Sequence, residues 1–154
     1  HDGTPIDFTE LLDKFIQLRQ PSLADLRLVY VKPQQPIIVL GHDDRIVQVI
    51  DNLLSNAASF SPKDSEIIFK LSASDKPPEA VLQIVDYGPG IPENRLESVF
   101  QRFYSERPEG ESFGDHSGLG LSIARQIVIG HGGSLKASNH ARGGAIFTLR
   151  LPLA

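Results

Sequence analysis

Apolar positions along this 154-residue chain follow two periods. From Asp43 to Phe60 they fall at Ile46, Val47, Val49, Ile50, Leu53, Leu54 and Ala57, the spacing of a helix with one wide buried stripe. Phe8, Leu11, Leu12, Phe15, Ile16 and Leu18 predict an earlier helix, with Thr9 as N-cap and Pro21 as its stop. "LRLVYVK" and "IIVLG", set around the turn-forming "PQQP", have the length and β-branched content of strands. "EIIFKLSAS" and "AVLQIVDY" predict a strand pair joined by the loop "DKPPE". "ENRLESVFQRFY" predicts a short helix, "GLSIARQIVIGHGG" a helix ended by glycines, and "SLKASNHARGGAIFTLRLP" a last hairpin turning near Ala141 to Gly144. "SERPEGESFGDHSG" is polar, has Phe113 as its one large apolar side chain, and reads as a mobile loop.

These elements predict one α+β domain over residues 1–154. The expected form is a two-layer α/β sandwich whose mixed, mostly antiparallel sheet is covered by helices on one face and wet on the other. Composition narrows the function classes: 40% hydrophobic and 22% charged residues describe a globular chain, and its net charge of −4 gives no basic footprint for nucleic acid. No 18-residue apolar span is present, so no membrane contact is expected. The absence of cysteine removes disulfide and thiol chemistry and is compatible with a cytosolic setting, while the absence of methionine, even at position 1, reads as a fragment.

Two amides interrupt the apolar pattern of the 43–60 helix. Asn52 and Asn56, four apart, project from one side, where an amide oxygen can bind a hard cation such as Mg²⁺; backbone groups satisfying a buried pair would explain them as well. "DYGPGI" places the carboxylate of Asp86 at a strand end, followed by Gly88 and Gly90, which suit either close approach to a flat ligand or a simple turn. In "HSGLGLSIAR", Gly118 and Gly120 open a helix whose free N–H groups attract phosphate. No Gly-Lys-Ser/Thr follows and Ile123 occupies the third glycine's place, so neither a P-loop nor GxGxxG is complete. The five histidines are scattered without zinc-ligand spacing, and no serine lies in a Gly-x-Ser-x-Gly context.

In chain order, Asn-Leu-Leu-x-Asn-Ala, Asp-x-Gly-x-Gly-Ile, Phe-x-x-Phe and Gly-Leu-Gly-Leu are far more specific than any one of them. Residues 5–154 resemble the catalytic and ATP-binding domain of sensor histidine kinases, within the wider GHKL group of gyrase B, Hsp90 and MutL, which shares the Bergerat fold. The resemblance implies ATP and Mg²⁺ as ligands. Asn56 would coordinate the metal, Asn52 would line the same site, and Asp86 would accept from the adenine amino group. Gly88, Gly90 and Ile91 would shape the base pocket and Phe60 would flank it. Residues 93–117 would form the ATP lid, hinged by Gly118, Leu119, Gly120 and Leu121, which also offer backbone to phosphate.

Departures from that pattern bear on rate. Ser59 and Ser105 stand where the family often has basic residues, leaving Arg102 and Arg107 to supply charge. No two-helix hairpin precedes residue 40, so the phosphoacceptor would be a histidine-bearing dimerisation domain of the same parent kinase, with a response regulator as an indirect partner and a cytoplasmic location. The competing expectations are an ATP-gated conformational module and a catalytically inactive nucleotide sensor. Asn52 bears on the first of these, because the Hsp90-like relatives carry a water-activating Glu there and an amide is no base.

Overall fold

The computed structural model describes residues 3–102 and 119–154. A five-stranded sheet runs in the order β2 (Leu26–Val31), β4 (Ser65–Asp75), β5 (Pro78–Val85), β7 (Ala145–Pro152), β6 (Ser134–Asn139). Only β2 and β4 are parallel, so the sheet is mixed and mostly antiparallel, with helices α1 (Phe8–Arg19), α2 (Asp43–Phe60) and α3 (Gly120–Gly130) on one face. The α/β sandwich is as expected, and α2 has the bounds that its periodicity predicts.

Alternation explains which sheet face is dry. Ile67, Phe69 and Leu71 of β4, Leu82 and Ile84 of β5, and Phe147 and Leu149 of β7 point into the helical layer and are buried, whereas Lys70 and Ser72 on the opposite face are exposed. Facing them are Phe8, Leu12 and Phe15 of α1, Ile46, Ile50 and Leu53 of α2, and Ala124 and Val128 of α3. Phe15 and Phe69 meet with tilted rings 6.2 Å apart. At the partly exposed edge of this layer, Arg19 donates from Nε and Nη2 to the two carboxylate oxygens of Asp51 at 2.7 and 2.6 Å, tying α1 to α2.

Three local expectations are corrected. The N-cap of α1 is Asp7, whose carboxylate accepts from the Glu10 N–H at 3.0 Å; the Thr9 hydroxyl accepts instead from the Ile37 N–H at 3.0 Å. That bond and the one from the Phe8 N–H to the Ile37 carbonyl, 2.8 Å, hold the chain at the start of α1. Consequently β3 (Ile38–Gly41) does not pair with β2 but forms a separate antiparallel ribbon with an unforeseen strand, β1 (Thr4–Asp7). The third correction concerns the helix expected over "ENRLESVFQRFY", whose described part forms two 3₁₀ turns, Glu93–Arg95 and Ser98–Phe100. Its buried anchors are Val99 and Phe100, both in the second turn, and the first turn buries no residue, so no helical apolar stripe holds the segment in one α-helix.

Leu53, fully buried between the layers, gives the fold its most direct test. Leu53→Ala should lower unfolding stability by about 2–5 kcal/mol in urea titration, as cavity formation in a packed core requires.

Candidate functional site

Helix α2 carries Asn52 and Asn56 one turn apart, both half-buried, on the side that faces the start of α3. Asn52 donates from Nδ2 to the carbonyl of Gly120 at 3.0 Å, so backbone satisfaction accounts for its donor side. It does not account for Asn56: among the described residues its side-chain amide makes no hydrogen bond, while its main-chain carbonyl accepts from the Ser59 hydroxyl at 2.7 Å. Leu119 and Leu121, flanking Gly120, are half-buried, and the Ser122 hydroxyl closes the first turn of α3 on the Leu119 carbonyl at 3.0 Å. Arg102 is exposed, at the last described position before residue 103. Gly118, Arg107 and residues 103–117 of the expected lid lie outside the described residues.

At the far end of α2, Phe60 meets the segment after β5. A Cβ on Gly88 would stand 2.4 Å from the Phe60 carbonyl oxygen, so this approach admits only glycine. Asp86, 2% exposed, lies one residue past β5. Its Oδ1 accepts from the N–H groups of Gly88 (2.9 Å) and Ala145 (3.2 Å), and its own N–H donates to the Ala145 carbonyl at 3.0 Å. Burial raises the carboxyl above the usual aspartate range, and the two N–H donors offset part of that shift. Among the described residues Oδ2 accepts no hydrogen bond. A buried acceptor without a donor costs about 1–3 kcal/mol, which makes Oδ2 an attachment point for an incoming N–H.

The β6–β7 hairpin completes this wall, and sequence reasoning missed its contribution. Gly144 has φ +102°, and a Cβ there would lie 2.0 Å from the Asp86 carbonyl oxygen. Asn139, the last residue of β6, meets Ile91 with both ends of its amide, and its Oδ1 lies 2.8 Å from where a Gly90 Cβ would stand. "GG" before β7 signalled a turn; nothing local in "SNHARGGA" signals that the turn abuts residues 86–91. The structure thus brings Phe60 to Gly88 in the segment that runs from Asp86 through Gly90 to Ile91, and, about two turns earlier on the same helix α2, brings Asn52 to Gly120.

The sequence model of histidine kinase-, DNA gyrase B-, and HSP90-like ATPases matches residues 41–154. The chain belongs to this ATPase family. Its relatives are sensor kinases: the sensor protein ChvG of Rhizobium meliloti (strain 1021) is 40% identical over 98% of this chain, which spans only 28% of ChvG's length. The structure superposes on the mycobacterial sensor histidine kinase MprB with a TM-score of 0.84 and 31% identity, covering 99% of this chain and 98% of that one. The ATP-binding domain of PrrB from Mycobacterium tuberculosis gives a TM-score of 0.75 at 28% identity, with 100% and 99% coverage. The similarity to these two solved structures extends over essentially the whole chain.

The two adjacent glycines before β7 should respond differently to alanine. At Gly143, φ +90° with open space around the added Cβ, the cost should be about 1–2 kcal/mol from backbone strain alone. Gly144→Ala adds a collision with the Asp86 backbone and should cost clearly more in the same denaturation experiment.

Proposed function

We propose that this domain binds Mg·ATP with the base against Asp86 and the phosphates beside Asn56 and the start of α3, and donates the γ-phosphoryl to a histidine on a separate dimerisation domain of its parent kinase. The observation that carries this reading is the buried Asp86 carboxylate, one oxygen of which accepts no hydrogen bond among the described residues, matched to the exocyclic amine of adenine. Gly88, Gly90 and Ile91 provide backbone that a flat base can approach, with Phe60 at its margin. Asn56 would hold Mg²⁺, whose charge offsets that of the triphosphate. The side-chain amide of Asn56, which makes no other hydrogen bond among the described residues, fits that role. Asn52 holds the Gly120 carbonyl and so sets where α3 begins, while Gly118, Leu119 and Leu121 would complete the backbone around the phosphates. Arg102 and Arg107 are the proposed sources of charge near the transferring group.

Asn52 supports kinase chemistry over ATP-gated hydrolysis, because an amide cannot take a proton from attacking water. Transfer then depends on holding an external nucleophile in line with the γ-phosphate, which only the acceptor domain supplies. A cytoplasmic setting and an indirect response-regulator partner belong to the same proposal. The Ser59 hydroxyl, turned back onto its own helix, contributes no charge; this favours the inactive sensor as the second reading.

Asp86→Asn separates binding from folding. Asparagine keeps an Oδ1 for Gly88 and Ala145 but turns an N–H toward the adenine amine, so calorimetry should register at least about a hundredfold weaker ADP binding. Stability at neutral pH should hold or rise. A raised folded pKa means that Asp86 favours the fold below its unfolded pKa and loses that contribution as pH rises through the folded one; the amide removes the loss. Unchanged ADP affinity would refute the pocket. Asn56→Ala should abolish the Mg²⁺-dependent increment of ATP affinity while sparing metal-free ADP.

Phosphotransfer is tested by adding a histidine-bearing dimerisation domain. Label from γ-labelled ATP should appear there in acid-labile, base-stable form, while the domain alone stays unlabelled and turns ATP over slowly. Fast hydrolysis by the isolated domain would favour the ATP-gated alternative.

A further inference from the structure

We propose that Asn139, outside every sequence motif that points to the site, is a positioning residue that sets the shape of the base-facing segment 86–91. This inference rests on the nucleotide reading above. The upstream end of that segment is held by β7: the Asp86 N–H donates to the Ala145 carbonyl at 3.0 Å, and the Ala145 N–H donates to the Asp86 Oδ1 at 3.2 Å. Among the described residues, the downstream end has no strand partner, and its backbone is held by the side chain of Asn139: Oδ1 accepts from the Ile91 N–H at 2.7 Å, and Nδ2 donates to the Ile91 carbonyl at 2.7 Å. A planar amide that meets both the N–H and the C=O of one residue reproduces a ladder pair and fixes the orientation of that peptide.

Gly90 shows how closely this clamp is fitted. With φ +82° and the Asn139 oxygen 2.8 Å from its missing Cβ, the chain before Ile91 is folded over the amide. The remaining Nδ2 hydrogen goes to the Glu93 carboxylate at 3.0 Å, which is exposed and contributes at the rim. Only an amide serves all three contacts. Aspartate retains the acceptor for Ile91 N–H, yet places a carboxylate oxygen against the Ile91 carbonyl and another carboxylate at Glu93. The clamp acts on the base wall and touches neither Asn56 nor the start of α3.

The test uses the 154-residue chain with Asn139→Ala and Asn139→Asp, titrated with adenosine diphosphate without metal and with ATP with and without Mg²⁺. Both Asn139 variants should lose about tenfold in affinity for each ligand by the same factor, leaving the Mg²⁺ increment intact. Amide exchange at Gly88, Gly90 and Ile91 should quicken while α2 keeps its protection, which separates a local clamp from general destabilisation. Asparagine-to-aspartate, close in size, serves should the alanine variant not fold. Asn139 variants that bind as tightly as the unsubstituted chain, or that lose protection in α2 as much as in 88–91, overturn this inference alone. An unsubstituted chain that binds no adenine nucleotide overturns it together with the nucleotide reading.

Discussion

Burying the Asp86 carboxyl at the end of β5 removes it from water, and the two N–H groups that reach its Oδ1 return only part of the lost solvation. Much of the local architecture follows from keeping that group in place. The Ala145 N–H reaches Oδ1 only because β7 pairs with β5 in the register that sets Val85 opposite Ile146. The chain entering β7 must then pass against the Asp86 carbonyl, which excludes any side chain at Gly144, and the chain leaving Asp86 must turn beneath the end of α2, which excludes one at Gly88. Strand pairing, helix placement and two glycines thus converge on one acid.

Rigid elements carry this arrangement to the amide pair. Asn52 and Asn56 stand on the same helix whose last residue, Phe60, abuts Gly88, so the distance from carboxylate to amides is set by helix pitch rather than by a loop. The inner face of α2, through Ile46, Ile50 and Leu53, is packed against the sheet, and the Arg19–Asp51 pair joins it to α1 one residue before Asn52. A site whose parts ride on packed elements is pre-organised for its ligand, which limits the entropy lost on binding.

What the sequence revealed and what it hid divide along physical lines. Period alone located α2 and the β4–β5 pair, because their buried stripes are long enough to dominate local preference. The motif residues Asn52, Asn56, Asp86 and Gly88 were legible because their chemistry jars with an apolar context. Asn139 and Gly144 were not: their importance arises from a register between β5, β7 and β6 that brings residues some fifty positions apart into contact. The β1–β3 ribbon was hidden for the same reason, since "TPID" is too short to show a period and acquires strand form only by pairing. The Asp7 cap lies two residues before the predicted Thr9, where two residue types compete and tertiary contact with Ile37 decides.

The central claim is that the Asp86 side chain, whose Oδ2 has no donor among the described residues, receives the base. Carboxyl-carbon NMR titration of Asp86 in the free domain and in its ADP complex measures this directly. A donor from adenine stabilises the charged form, so the folded pKa, raised in the free domain, should fall when ADP binds, and by linkage ADP affinity should decline as pH drops through the free-state value. An Asp86 titration that is the same with and without bound ADP, or that moves upward, would contradict the account.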